Sequence, residues 1–254
     1  MEALPWDTPG VSWERFDAVV VRSTWDYHRR PDAFGRWLDG LEARRARVWN
    51  PVPCLRWNLD KRYLLALAGR LPVVPTELVA RGAPDRLADI LERNGWKAAV
   101  VKPSISASGE DTWRTGPGGA DEERFRALVS RGAVLVQTFV EEVASAGEWS
   151  LVYIQGSFSH AVVKRPRAGE FRVQTEHGGR SEPATPSAAL LAQAGRVLAE
   201  APEPWLYARV DGCLVGGSFL LMELEMLEPA LELWAEDGAA GRFAGAILAR
   251  AGVE

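Results

Sequence analysis

Residues 16–22 (FDAVVVR) form an apolar run that gives way to the polar stretch 23–27, the pattern of a buried strand entering a loop. Pro31 and Asp32 then open a segment with Phe34, Trp37, Leu38 and Leu41 at helical spacing. Residues 47–49 read as a short strand before Asn50-Pro51. Asn58 is placed to cap a helix carrying Lys61, Leu64, Leu65 and Leu67. From Pro72 onward, residues 73–79, 98–102 and 134–140 read as strands. Residues 84–94 and 121–131 read as helices, the first bracketed by Pro84 and Gly95. Two apolar runs, 149–155 and 158–165, flank Gly156-Ser157 at the spacing of a tight hairpin. An alanine- and leucine-rich helix at 187–201 precedes two further strands, 206–212 and 219–226, joined through Gly216-Gly217. The segment 239–251 closes the chain as a helix. No repeat or flexible linker interrupts this order, so the units are expected to share walls around a cleft. They divide into an α/β unit over 1–71, a central unit over 72–140 and a C-terminal unit over 141–254, of mixed α+β class.

Composition narrows the function. Across 254 residues, 30 basic and 34 acidic side chains leave a net charge of −4, which argues against nucleic acid as the main partner. The basic run Arg44, Arg45, Arg47 reads as a solvated helix face. No run of about 18 apolar residues and no signal peptide is present, so no membrane partner is expected. Cys54 and Cys213 are isolated, as in a reduced, cytoplasmic protein, and His28, His160 and His177 lack metal-ligand spacing. Only four of the basic residues are lysine: Lys61, Lys97, Lys102 and Lys164. Codon bias toward arginine would produce this, but it also marks each lysine as a candidate for work that needs a compact ammonium.

The clearest chemical signal lies in the last strand pair. Alternation puts Arg209 and Asp211 on one face of the first strand, and Glu223 and Glu225 on one face of the second. A turn at Gly216-Gly217 brings them together among Val210, Leu221, Met222, Leu224 and Met226. One arginine does not offset three buried acids, so the pattern points to a hard divalent cation held by oxygen; a solvated strand face is the alternative. A second signal is Lys102 at a strand end followed by the small-residue loop 104–109 (SISASG), suited to an anion, or else a serine-rich surface loop. A third is the strand LVQTFVEE with Glu148 beyond it, able to offer backbone groups to a base and a carboxylate to a ribose. A fourth is Lys164, Arg165 and the run Gly169-Glu170-Phe171-Arg172, read either as an anion site or as a surface ion-pair cluster.

As an ordered set over about residues 50–235, these pieces resemble the ATP-grasp superfamily of carboxylate ligases. The stretch HAVVKRPRAGEFRVQTEHGG is similar to the equivalent loop of glutathione synthetases. RSTWDY, WNLDKRYL, SASG-x-DTW and LMELE are similar to the subgroup of the cycloserine-forming ligase. The resemblance implies an ATP-grasp fold, two α+β subdomains gripping ATP, behind a shortened N-terminal α/β domain. Glu2–Pro5 would be that domain's second strand, leaving it short of one strand-helix unit.

The resemblance also implies ATP and Mg2+ as cofactors. Lys61 and Lys102 would hold phosphates, and Ser104, Ser106, Ser108 and Gly109 would close over them. Gln137, Phe139 and Val140 would frame adenine, and Glu148 would bind ribose. Lys164, Arg165 or Arg172 would neutralise the triphosphate, Asp211, Glu223 and Glu225 would bind magnesium, and Arg209 would face the oxyanion. Glu225 stands where many relatives carry asparagine. The polar loop 22–27, with Trp25 and Asp26, would either read the substrate or hold the domain interface.

The implied activity is a carbon-nitrogen ligase that makes an acyl phosphate of a small amino acid, with O-ureido-serine cyclisation as the leading substrate expectation. A ligase for another amino acid or peptide, or a nucleotide-binding protein without ligase activity, stays open. The expected partner is a small-molecule amino acid, and a homodimer is the candidate assembly.

Overall fold

The structure is a computed structural model that describes residues 1–252. At the N-terminus β1 (Val19–Val20), α1 (Pro31–Ala43) and β2 (Val48–Trp49) form a strand-helix-strand unit with parallel pairing. Pro31 starts α1, whose apolar stripe buries Phe34, Leu38 and Leu41 against Trp6, Tyr27 and Val48. The run 16–22 therefore contributes only two ladder residues, although Val21 is also buried. Residues 2–5 form no strand, against expectation. Pro5 lacks an N–H for a ladder, Glu2 turns to solvent to pair with Arg15, and anchoring falls instead to Trp6, edge-on to Phe34 at 5.2 Å.

The helix expected after Asn58 is two helices, α2 (Val52–Leu59) and α3 (Tyr63–Ala68), with Asp60 extended between them. Asn58 is no cap. It lies within α2 and reaches across the core, donating from Nδ2 to Leu224 O at 2.6 Å and accepting at Oδ1 from the amides of Met226 and Leu227. A tertiary demand has outcompeted the local capping preference. Lys61 consequently sits in the break between the helices rather than on one, its amide bonded to Ser104 O at 2.8 Å.

The next unit holds β3 (Thr76–Val79), α4 (Leu87–Asn94), β4 (Ala99–Pro103), β5 (Trp113–Thr115), α5 (Glu122–Arg131) and β6 (Val134–Thr138). Its antiparallel sheet has the order β3-β6-β4-β5. Ala99, Val101, Val134 and Val136 pack beneath α4 and α5, leaving the opposite face of β4 and β6 to Val100, Lys102 and Gln137. Gly95, at φ +65°, ends α4 in the left-handed conformation expected of a glycine there.

The remainder comprises α6 (Glu142–Ser145), β7 (Glu148–Ile154), β8 (Ser157–Arg165), β9 (Arg180–Pro183), α7 (Ala188–Leu198), β10 (Tyr207–Val215), β11 (Ser218–Glu225) and α8 (Ala239–Ala251). The five-stranded antiparallel sheet runs β11-β10-β7-β8-β9. Its two hairpins turn on Gln155-Gly156 and Gly216-Gly217, where both residues of each pair have positive φ. The first turn lies one residue earlier than the sequence pattern suggests. Ser187 caps α7 by accepting the Leu190 amide, and α7 packs with α3 on Leu151, Val210, Leu221 and Leu224. The short strands β5 and β9 lack an apolar signature, and β9 is an exposed edge of sequence RSEP. Among the described residues no helix is long and apolar enough to cross a membrane.

Replacing Asn58 by Ala leaves the buried amides of Met226 and Leu227 without partners, while Leu224 O keeps the Tyr63 hydroxyl at 2.8 Å. Chemical denaturation of N58A is expected to show a loss of roughly 2–4 kcal/mol, against less than about 1 kcal/mol if Asn58 acted only as a local cap.

Candidate active site

The antiparallel register sets Arg209 opposite Glu225 and Asp211 opposite Glu223, so the four side chains occupy one face, as strand alternation requires. That face lines a cleft of about 360 Å³ whose other wall is β4 and β6 of the central sheet. Arg209 holds the group together. Its Nε donates to both Asp211 oxygens at 2.9 and 3.0 Å, Nη2 donates to Asp211 at 2.8 Å and to Glu225 at 2.6 Å, and Nη1 donates to Ala230 O at 2.9 Å. Ser150, facing Asp211 from β7, donates to it at 2.6 Å.

The sequence pattern supplies one cation for three acids; the fold supplies a second. Lys61 places Nζ 3.0 Å from Glu223 and donates to Ser106 O at 2.5 Å. Glu223 is thereby held below the usual carboxylate range, and the Arg209 guanidinium does the same for Asp211. Glu225 is different: burial, with Asp211 and Glu223 close by, outweighs Arg209 and pushes its carboxyl up to about 8. Burial also pushes Glu148 and Glu228 up to about 7. Among the described residues no three acidic, histidine or cysteine side chains stand grouped as a metal cage. The three expected ligands are instead bound to Arg209 and Lys61. The donor set still fits a hard cation, because all the donors are carboxylate oxygens and an excess of buried negative charge stays uncompensated.

The phosphate-type residues divide. Lys102 faces the cleft from β4, and desolvation lowers its pKa despite Glu223 nearby. Ser106, Ser108 and Gly109 line the cleft, with Ser108 and Gly109 in the left-handed region at φ +52° and +66°. Ser104 does not line it. Its backbone is tied to the Lys61 amide and to Ala133 O, so it anchors the loop from behind. The loop meets the segment after β8, where His177 Nε2 lies 3.2 Å from Ser108 O. A Cβ on Gly109 would come within 3.3–3.4 Å of His177, Arg172 and Gln174. Glu110 ties the loop's far end to His28 and Arg29.

Gln137, Phe139, Val140 and Glu148 all line the cleft. Gln137 is oriented by a bond to Thr76 at 2.9 Å, and Phe139 stacks beneath the Arg114 guanidinium at 4.0 Å. Of the three cations left unranked by sequence, Lys164 and Arg172 reach the cleft. Arg165 does not: one residue further along β8, it turns outward to pair with Glu182. Arg172 is fixed by Glu170 through two contacts, which hold that acid down at about 2. Lys97 takes no part in the cleft lining.

The loop after β1 reaches both the cleft and the segment after β11. Trp25 and Tyr27 line the cleft, Trp25 Nε1 bonding to Glu228 O and the Tyr27 hydroxyl to Ser106 O. Arg22 clamps Pro229 O, whereas Asp26 turns away to Trp6 and Arg30. Sequence reasoning missed Glu228. Its one signal was an acid directly before Pro229, three residues past Glu225, at the exit of a buried strand.

The family model for the N-terminal domain of D-cycloserine synthetase DcsG matches residues 1–50. The cycloserine biosynthesis protein DcsG of Streptomyces lavendulae is 34% identical, over 98% of this chain and 88% of its own length. The crystal structure of D-cycloserine synthetase DcsG superposes with a TM-score of 0.84 at 32% identity, covering 97% of this chain and 88% of that one. D-alanine–D-alanine ligase from Bacillus anthracis complexed with ATP superposes with a TM-score of 0.65 at 17% identity, over 84% and 73% of the two chains, a likeness of fold.

Because Glu225 titrates near 8 when folded and near 4.5 otherwise, the native state binds the extra proton between those values, and ionising it weakens the fold as pH rises. In the metal-free protein E225Q is expected to gain stability relative to wild type from pH 5 to pH 8, by at least about 1 kcal/mol. A constant difference in denaturation midpoint across that range would contradict the assignment.

Proposed function

The chain belongs to the D-cycloserine synthetase family of ATP-grasp ligases, and from that premise we propose that it uses ATP and magnesium to convert the carboxylate of a small amino acid into an acyl phosphate, which an amine-type nitrogen then attacks. One observation carries this reading: the acid-and-arginine face of β10 and β11 shares a single cleft with Lys61, Lys102, Lys164 and Arg172. A carboxylate is a poor electrophile, and such a cleft supplies what phosphoryl transfer needs, namely position and charge neutralisation.

In this reading Gln137, Phe139 and Val140 receive the base and Glu148 the ribose. Lys61, Lys102, Lys164 and Arg172 neutralise the phosphates, with Ser106, Ser108 and Gly109 offering loop amides. Asp211, Glu223 and Glu225 hold magnesium, which when bound neutralises phosphate charge. The substrate carboxylate oxygen attacks the γ-phosphorus and ADP departs. Nitrogen then attacks the acyl carbon, Arg209 faces the oxyanion, and phosphate leaves. The loop contacts at Ser108 and Glu110 keep water from the acyl phosphate. The substrate of choice is O-ureido-serine, cyclised within one molecule. Its oxygen-bound ureido nitrogen attacks the acyl carbon and gives up its proton. Water then removes the carbamoyl group from that nitrogen as carbon dioxide and ammonia, leaving cycloserine.

Calorimetry on Lys102→Ala is expected to show magnesium-ATP affinity reduced by about tenfold or more, since a buried charge-assisted contact is lost. Unchanged affinity removes Lys102 from the nucleotide site. Mass spectrometry of wild type with ATP and O-ureido-serine is expected to show cycloserine. ADP release driven by a different amino acid, with no cycloserine, would keep the ligase and discard this substrate.

A further inference from the structure

The proposed nucleotide and metal roles leave one wall of the cleft unused. It is built from Trp25 and Tyr27 of the loop after β1 and from Leu227 and Glu228 at the exit of β11. The two segments are locked together, because Trp25 Nε1 donates to Glu228 O at 3.0 Å and Arg22 donates to Pro229 O at 2.6 Å. The wall is therefore preformed, and Glu228 is the charged group it presents.

Glu228 is only 8% exposed. Its main-chain oxygen is used, yet among the described residues no side chain hydrogen-bonds or ion-pairs with its carboxylate, and the charges of Lys61, Arg209 and Arg22 act on it only at longer range. The other acids near it are claimed: Arg209 takes Asp211 and Glu225, and Lys61 takes Glu223. Of the other cleft acids without a bonded partner, Glu148 lies opposite Lys164 in the β7–β8 register and Glu176 is exposed. A buried carboxylate without a donor is costly, and proteins keep one where a ligand completes it. The reaction proposed above brings such a ligand. An amino acid whose carboxylate lies toward Arg209 carries an ammonium group on the adjacent carbon, and nothing among the nucleotide-binding residues would compensate that charge.

We propose that Glu228 receives the α-ammonium group of the amino-acid substrate and thereby makes the cleft select an amino acid over the same acid without its amine. This rests on the ligase reading above and names a subsite of that same reaction. Trp25 and Tyr27 flank the subsite and limit the size of what enters. In the reading above magnesium is assigned to Asp211, Glu223 and Glu225, which share one face of β10 and β11, so Glu228 is left for the substrate.

The test pairs O-ureido-serine with its deaminated counterpart, 3-(ureidooxy)propanoate, in wild type, Glu228→Gln and Glu228→Asp. ADP release is measured for each, and magnesium-ADP affinity is measured by calorimetry. In wild type the amino acid should be strongly preferred. In E228Q its KM should rise by about tenfold or more while that of the deaminated acid stays flat, and E228D should recover part of the preference. Magnesium-ADP affinity within about twofold of wild type shows that the fold and nucleotide site are intact. Equal losses for both acids, undiminished preference in E228Q, or a collapse of magnesium-ADP affinity would each overturn the proposal while leaving the ligase reading in place. Failure of wild type to release ADP with either acid, or with a panel of other amino acids, would bring down the ligase reading and the subsite with it.

Discussion

Arg209 is the group on which the site depends. Three carboxylates on one face of a two-strand pair, backed by an apolar core, would repel one another and resist burial. By bonding to Asp211 and Glu225 together, Arg209 makes that face compatible with a folded sheet. The compensation is incomplete by design of the fold. Lys61 neutralises Glu223, but the pKa values of Glu225, Glu148 and Glu228 stay well above those of free carboxylates. The cleft thus sets carboxyls that burial makes hard to ionise beside lysines and arginine, which suits it to ligands that carry both phosphate and cation.

The break between α2 and α3 is what allows this balance. Had Asn58 capped a single helix, Lys61 would lie on a regular helical surface. With Asp60 extended instead, the Lys61 amide is tied to the loop after β4 and its ammonium reaches both Ser106 O and Glu223. Asn58 binds the exit of β11 at the same time. One short irregular stretch therefore couples the N-terminal unit, the small-residue loop and the acidic strand pair. Movement of any of the three is felt at the others through packed, hydrogen-bonded contacts.

The small-residue loop is held from two sides. Glu110 reaches back to His28 and Arg29, and Ser108 O meets His177 from the segment after β8. These contacts at the tip are exposed and weak individually, whereas Ser106 O is held by the buried Lys61 ammonium and Tyr27 hydroxyl, so the base of the loop is fixed more firmly than its tip. Gly109 belongs there because its positive φ and the closeness of His177, Arg172 and Gln174 both disfavour a side chain.

Sequence alone determined the elements with strong periodicity, such as α1 and α8, and the joint face of Arg209, Asp211, Glu223 and Glu225. These follow from local geometry: helical spacing, strand alternation and a Gly-Gly turn fix them before any long-range contact forms. Tertiary structure decided the rest. It turned Asn58 from a cap into a cross-core tie, left residues 2–5 without a strand, and paired β9 and β5 despite their weak patterns. It also set Ser104 and Arg165 outside the cleft while bringing Glu228 into it. Whether a polar side chain lies against water, a backbone amide or another charge depends on which distant segment packs over it. That choice is settled by desolvation and hydrogen-bond completion between residues more than a hundred positions apart, which no local pattern encodes.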